Sequence, residues 1–224
     1  MAERIDDAFV GDDAVGDREI VPPTVRPYSE RVIHGEIFKA RPDVNAVCHH
    51  HAPAIMPFAI SGVPLVPVFH LGAAMGRYAP FWDSRDEFGD TCLLVLKPEE
   101  GASLARALGP SWLVLMRRHG ATVAAKNLIE LVFRSIYSVR NAELQLTCKA
   151  QGQHLSPLTP GEAKMAWDRN LDPRPQARAW EYWSTRLKKA GEYPAGAPKA
   201  ASKVRSRAAS APRGGKRLAL RKKR

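Results

Sequence analysis

The chain has 224 residues, 45% of them hydrophobic and 8% aromatic, which suits one globular domain with a sizeable core and an appendage. It has no apolar run approaching the roughly 18 residues of a membrane span. The start, MAERIDDAFVGDD, is acidic and lacks the apolar core of a secretory signal. Three scattered cysteines, Cys48, Cys92 and Cys148, with no CxxC pair, exclude a disulfide scaffold and point to a reduced, cytoplasmic protein.

The net charge of +11 is confined to one end. From residue 196 onward there are eleven bases and no acids, while the remaining 23 bases balance 23 acids. The body is therefore neutral, which excludes a basic DNA-binding domain and leaves a basic extension.

Taken in order, residues 1–26 are polar and acidic and read as loop with at most a short strand. A helix is expected from Ser29, which would serve as N-cap, with Glu30 in the first turn. Val32, Ile33, Ile37 and Phe38 form its apolar stripe, and Arg41-Pro42 ends it. Residues 44–51, VNAVCHHH, read as a strand and 54–60 as a short helix. VPLVPVF (63–69) reads as a strand interrupted by prolines, near an edge. A short strand over 93–96, a helix over 101–108, a buried strand over 112–116 and a long amphipathic helix from 128 to about 150 follow. Residues 157–190 are helical but poor in aliphatics. Their tryptophans, with Tyr182, imply packing against the body or a neighbouring subunit. Strands alternating with helices give an α/β fold. From residue 195 the chain is Ala, Pro, Ser, Gly, Lys and Arg, a composition that cannot bury enough apolar surface to fold. The expected organisation is one domain over 1–190 and a disordered basic tail over 195–224. The tail has no aromatic stacking residues, so it offers at most weak, nonspecific contact with nucleic acid.

The chemistry of the sequence lies in AVCHHHAP. Side chains alternate faces on a strand, so His49 and His51 point one way and His50 the other. Two imidazoles at that spacing can anchor one cation, and the bland competitor is a solvated or pH-sensitive stretch. His119, in WLVLMRRHGAT, follows a buried strand and is the best candidate for a third ligand. Its own bland reading is a loop or capping residue. Three neutral imidazoles leave coordination positions open, the pattern of a catalytic site. Glu30 and His34, four residues apart, share a helix face and would supply a base if that helix packs against the strand. His70, in VFHLG, is a further candidate, with a satisfied core histidine as the alternative.

Together these stretches resemble the class II aldolase/adducin family. The resemblance begins at PYSERVIHGEIFKARPDVNAVCHHHAP, continues through LMRRHGATVAAKNLIELVFRSIYSVRNAELQL, and covers roughly residues 18–165. It implies a three-layer α/β/α sandwich with a mostly antiparallel central sheet. It implies a homotetramer with active sites at subunit interfaces. It also implies a divalent metal, zinc or in some members manganese, held by His49, His51 and His119, with Glu30 as general acid/base. The implied activity is that of a lyase of aldehyde-lyase type. It would cleave a C–C bond of a small hydroxy-carbonyl or sugar-phosphate-like substrate through a metal-stabilised enediolate. VFHLGAAMGRYAPF is closer to a bacterial branch that decarboxylates hydroxy-pyridine carboxylates, in which His34 and His70 would bind substrate. Family members usually carry a longer segment before the serine-glutamate helix, with a loop that binds the substrate's phosphate or carboxylate. Its absence here implies a shortened start, and a non-catalytic member is the outcome if that segment is indispensable.

Overall fold

The computed structural model describes residues 28–152 and 154–194. The expectations for residues 1–26 and for the 195–224 tail lie outside them. Within them, no helix is long and apolar enough to cross a membrane, and no disulfide joins the three cysteines.

The elements in order are α1 (Arg31–Ala40), β1 (Ala46–His50), α2 (Met56–Ser61), a 3-10 helix (His70–Met75), β2 (Phe81–Trp82), α3 (Arg85–Phe88), α4 (Pro98–Leu108), β3 (Leu113–Met116), β4 (Gly120–Ala125), α5 (Leu128–Ala150), α6 (Pro160–Asn170) and α7 (Pro173–Ala190). Among the described residues four strands form one sheet in the order β1-β4-β3-β2. β1 and β3 both run antiparallel to β4, and β2 lies parallel to β3. The sheet is therefore mixed, which corrects the expectation of a mostly antiparallel one. The parallel pair arises because β2 reaches β3 through the helical crossover α3–α4, which a hairpin could not provide.

Helices cover both faces, and strand alternation sorts the core accordingly. Ala46, Leu113, Leu115, Ala121, Val123 and Ala125 face Leu131 and Ala142 of α5 and Phe58 of α2. Val47, Val114, Met116 and Ala124 face Ile33 and Ile37 of α1 and Leu104 and Leu108 of α4. Every residue of β3 and β4 is buried, as two-sided coverage demands. The result is three layers, α/β/α. α1 and α4 approach closely at Gly101, where a Cβ would meet the Val32 carbonyl oxygen at 2.7 Å.

Two expected strands are absent. Residues 63–69 run extended but pair with no strand. Val66 N–H donates to Gln145 Oε1 (3.2 Å) and Val68 N–H to Asn141 Oδ1 (2.8 Å). Asn141 Nδ2 and Gln145 Nε2 donate in return to the carbonyls of Val66 (2.7 Å) and Pro64 (2.8 Å). Two amide side chains, one helical turn apart on α5, thus replace a neighbouring strand. Residues 93–96 also form no strand. Val95 N–H goes to Glu30, and the N–H groups of Leu96 and Lys97 go to the Glu100 carboxylate, closing the first turn of α4.

The helix expected from 128 to about 150 is α5, started by the Asn127 side chain, which accepts from Glu130 N–H at 2.9 Å. The 157–190 region is two helices divided at Leu171-Asp172. Trp183 packs against Phe133 and Tyr137 of α5, whereas Tyr182 stays exposed. α1 begins one residue later than expected: Glu30, not Ser29, is its N-cap, and the Glu30 side chain does not cap the helix.

Candidate metal centre

The centre is assembled from three separate places on the chain. β1 delivers His49 and His51 on one face of its end. The turn after β3 delivers His119, and the start of α1 delivers Glu30. The β3–β4 reversal is tight. Arg118 adopts a left-handed conformation (φ 53°) and its N–H bonds the Ala59 carbonyl at 2.8 Å. This costs on the order of 1 kcal/mol for a non-glycine residue and turns the chain so that His119 meets the end of β1. Gly120 follows because nothing larger fits: a Cβ there would lie 2.4 Å from the His50 carbonyl oxygen and 2.8 Å from His51 Cδ2.

One ligand nitrogen from each of His49, His51 and His119 lies within 4.8 Å of the other two. His49 Nε2 and His51 Nε2 are 2.9 Å apart, and the three rings touch with centroids 4.7–5.0 Å from one another. Glu30 Oε2 is 3.8 Å from His49 Nε2, and Glu30 Oε1 is 3.5 Å from His119 Nε2. The side chains of Glu30, His49 and His119 are each less than a tenth exposed, while His51 is exposed, so the cluster opens on the His51 side.

The electrostatics separate the roles. Burial, and the crowding by His119, push the His49 pKa down to about 3, against the pull of Glu30, so this imidazole is neutral with a lone pair to give. Burial by itself would raise Glu30. The bonds from His119 and from the Val95 backbone N–H (2.9 Å) outweigh it and hold the carboxyl down to about 2, so Glu30 is ionised. Tyr28 O–H also donates to Glu30 Oε2 at 3.2 Å. A neutral His49 crowded nitrogen to nitrogen with His51 beside a carboxylate, with His119 Nδ1 buried and without a partner, makes a donor set that suits zinc or another borderline divalent cation.

The other sequence candidates fall differently. His34 is half-buried on α1. Its pKa is lowered by burial, and the Glu30 charge pulls the other way. His70 is exposed in the 3-10 helix, and its carbonyl accepts from Asn170 Nδ2 at 2.6 Å. Among the described residues no hydrogen bond or ion pair joins His70 to the cluster. His50 lies on the other side of β1, as alternation requires, and its Nδ1 accepts from Ala52 N–H at 3.3 Å. Beside His51 a groove of about 960 Å³ runs between β1 and α5, with Ile136, Val139 and Arg140 in its wall. Sequence reasoning missed three groups around the carboxylate and the ligands: Tyr28, the Val95 N–H, and Thr122, whose Oγ1 lies 3.3 Å from His49 Nδ1. Strand pairing would have found Thr122, since it sits opposite His49 in the β1–β4 register.

Residues 6–146 match the family model described as Class II Aldolase and Adducin N-terminal domain. Decarboxylase tropJ of Talaromyces stipitatus is 31% identical over 191 residues, which are 77% of this chain and 72% of that protein. The 3,4-dihydroxyphthalate decarboxylase of Arthrobacter keyseri is 30% identical over 137 residues, 58% of this chain and 52% of that one. A solved structure of L-fuculose 1-phosphate aldolase superposes with a TM-score of 0.56 at 21% identity. That match covers 64% of this chain and 63% of the aldolase. The chain thus spans about half of the Arthrobacter enzyme and less than two thirds of the aldolase.

Proposed function

The chain belongs to the class II aldolase and adducin family, and we propose that within it the protein is a metal-dependent lyase that decarboxylates a hydroxy-aromatic carboxylate. The observation that carries the reading is the convergence of His49, His51 and His119 beside the buried, ionised Glu30. Likeness to two decarboxylases, one of them across 77% of this chain, favours loss of carbon dioxide. Aldehyde-lyase cleavage of a hydroxy-carbonyl or sugar-phosphate-like substrate is the second reading. It rests on the family's resemblance to aldolases in sequence; the superposition on L-fuculose 1-phosphate aldolase, at 21% identity, speaks for the fold alone.

His49, His51 and His119 hold the cation, zinc first and manganese second. When bound, it supplies a Lewis acid for the substrate's hydroxyl and carboxylate oxygens. Glu30 carries the proton. As a carboxylate it accepts the proton of the ring hydroxyl. As carbon dioxide leaves, it returns that proton to the ring carbon, and the product departs as a phenolate. Tyr28 and the Val95 N–H keep the carboxylate aimed through both transfers. His34 contacts substrate from the same chain. His70 would reach a site in a neighbouring subunit of a homotetramer. The domain extends over residues 1–190, and the basic 195–224 tail adds weak, salt-sensitive contact with nucleic acid.

The test is release of carbon dioxide from 3,4-dihydroxyphthalate and a panel of ortho-hydroxy aromatic acids by zinc- or manganese-loaded protein. Turnover of any of them, reduced roughly 100-fold or more by Glu30→Gln with metal retained, supports the reading. A loaded protein that releases no carbon dioxide from the panel rules the decarboxylase out.

A further inference from the structure

A metal-ligating histidine works only in one tautomer, and something must choose it. His49 offers its Nε2 to the cluster, so its Nδ1 must carry the proton when a cation is bound. Nδ1 faces Thr122 Oγ1 at 3.3 Å. Thr122 is fully buried in the middle of β4, and its hydroxyl has a second neighbour, Met116 Sδ, also at 3.3 Å. The single hydroxyl proton therefore has two acceptors on offer, the His49 ring and the methionine sulfur. If it goes to His49, the ring is protonated at Nε2 and that nitrogen is lost as a ligand. If it goes to Met116, the hydroxyl oxygen is free to accept from Nδ1–H, and the Nε2 lone pair points into the cluster.

We propose that Thr122 and Met116 act as a tautomer selector for His49. By giving the hydroxyl proton a resting place on sulfur, they hold His49 as the Nδ1–H form and raise the affinity of the cluster for its cation. The inference rests on the metal reading above and deepens it. Thr122 is a positioning residue, since it acts only through His49, and it belongs to the outer layer of hydrogen bonds that orient metal ligands. The sheet makes the arrangement rigid. Thr122 is the register partner of both His49 in β1 and Val114 in β3, and Met116 is completely buried two residues along β3 from Val114.

The experiment measures zinc affinity, by competition with a chromogenic chelator, for the parent and for Thr122→Val, Thr122→Ser and Met116→Leu. Valine keeps the shape and removes the oxygen. The expected result is a zinc dissociation constant raised roughly 10- to 100-fold in Thr122→Val, restored by Thr122→Ser, with a smaller rise in Met116→Leu. In the zinc-loaded parent, nitrogen-15 NMR of the histidine rings should find the His49 proton on Nδ1. A Thr122→Val protein that folds and binds zinc as tightly as the parent overturns the inference while leaving the metal site standing. Should valine prevent folding, a His49 proton found on Nε2 in the loaded parent overturns it equally. A parent that binds no zinc overturns both this inference and the metal reading.

Discussion

Two groups of buried polar side chains meet opposite fates in this fold. Around Arg134 the polar atoms are matched. Its Nε and Nη2 donate to Glu130 Oε1 at 2.8 and 2.6 Å, and its Nη1 donates to the Ala74 carbonyl at 2.5 Å. Its guanidinium lies over the rings of both Trp112 and Trp167, 4.5 and 4.3 Å from their centres. One side chain thereby ties α5 to the 3-10 helix, to the approach to β3 and to α6. Around His49 the atoms are mismatched. His49 Nε2 and His51 Nε2, 2.9 Å apart, can share only a single proton, and His119 Nδ1 is buried without a partner. A satisfied polar network stabilises a fold, and an unsatisfied one waits for something to bind.

That contrast can be broken by experiment. Removing Arg134 should do the most damage, because Glu130 would be left buried and unpaired. Arg134→Ala should cost about 3–5 kcal/mol of unfolding free energy, measured by chemical denaturation. A loss under 1 kcal/mol would remove Arg134 from the centre of the fold. Asn141→Ala should cost less, about 2 kcal/mol, since it strands the Val68 N–H and the Val66 carbonyl. Gly72→Ala should resemble it in denaturation, because the new Cβ would sit 2.0 Å from Asn141 Oδ1.

Acid should act on the mismatched group. His49 and His50 are held by burial at about 3 and about 4, below the ordinary 6.5. Between those values the unfolded chain binds more protons than the folded one. The stability of the metal-free protein is therefore highest above pH 6.5 and falls as pH drops from 6.5 toward 4, by roughly 1.4 kcal/mol per unit for each histidine. Thermal melts between pH 7 and 4 check this, and a parent whose melting point does not change across the window contradicts it.

The sequence made the chemistry more legible than the connections. His49 and His51 announce themselves by strand alternation, and His119 by its place after a buried strand. The class II aldolase/adducin resemblance set those residues beside Glu30. The 128–150 helix was equally plain, because a 23-residue amphipathic run with Asn127 before it carries its own signal. What misled was the extended backbone at 63–69 and 93–96. Both have strand composition, but their N–H groups are taken by side chains: Asn141 and Gln145 for the first, Glu30 and Glu100 for the second. Asn141 and Gln145 lie more than 70 residues away, so no local pattern reveals them. The parallel β2–β3 pair was hidden for a related reason, since a strand of two residues is too short to show a period.

If the crowded imidazoles hold a metal, mass spectrometry of the tag-free protein beside a His49→Ala/His51→Ala variant will find about one zinc or manganese per chain in the parent and none in the variant. A folded parent that takes up no metal after reconstitution, or a variant that keeps it, would contradict the account.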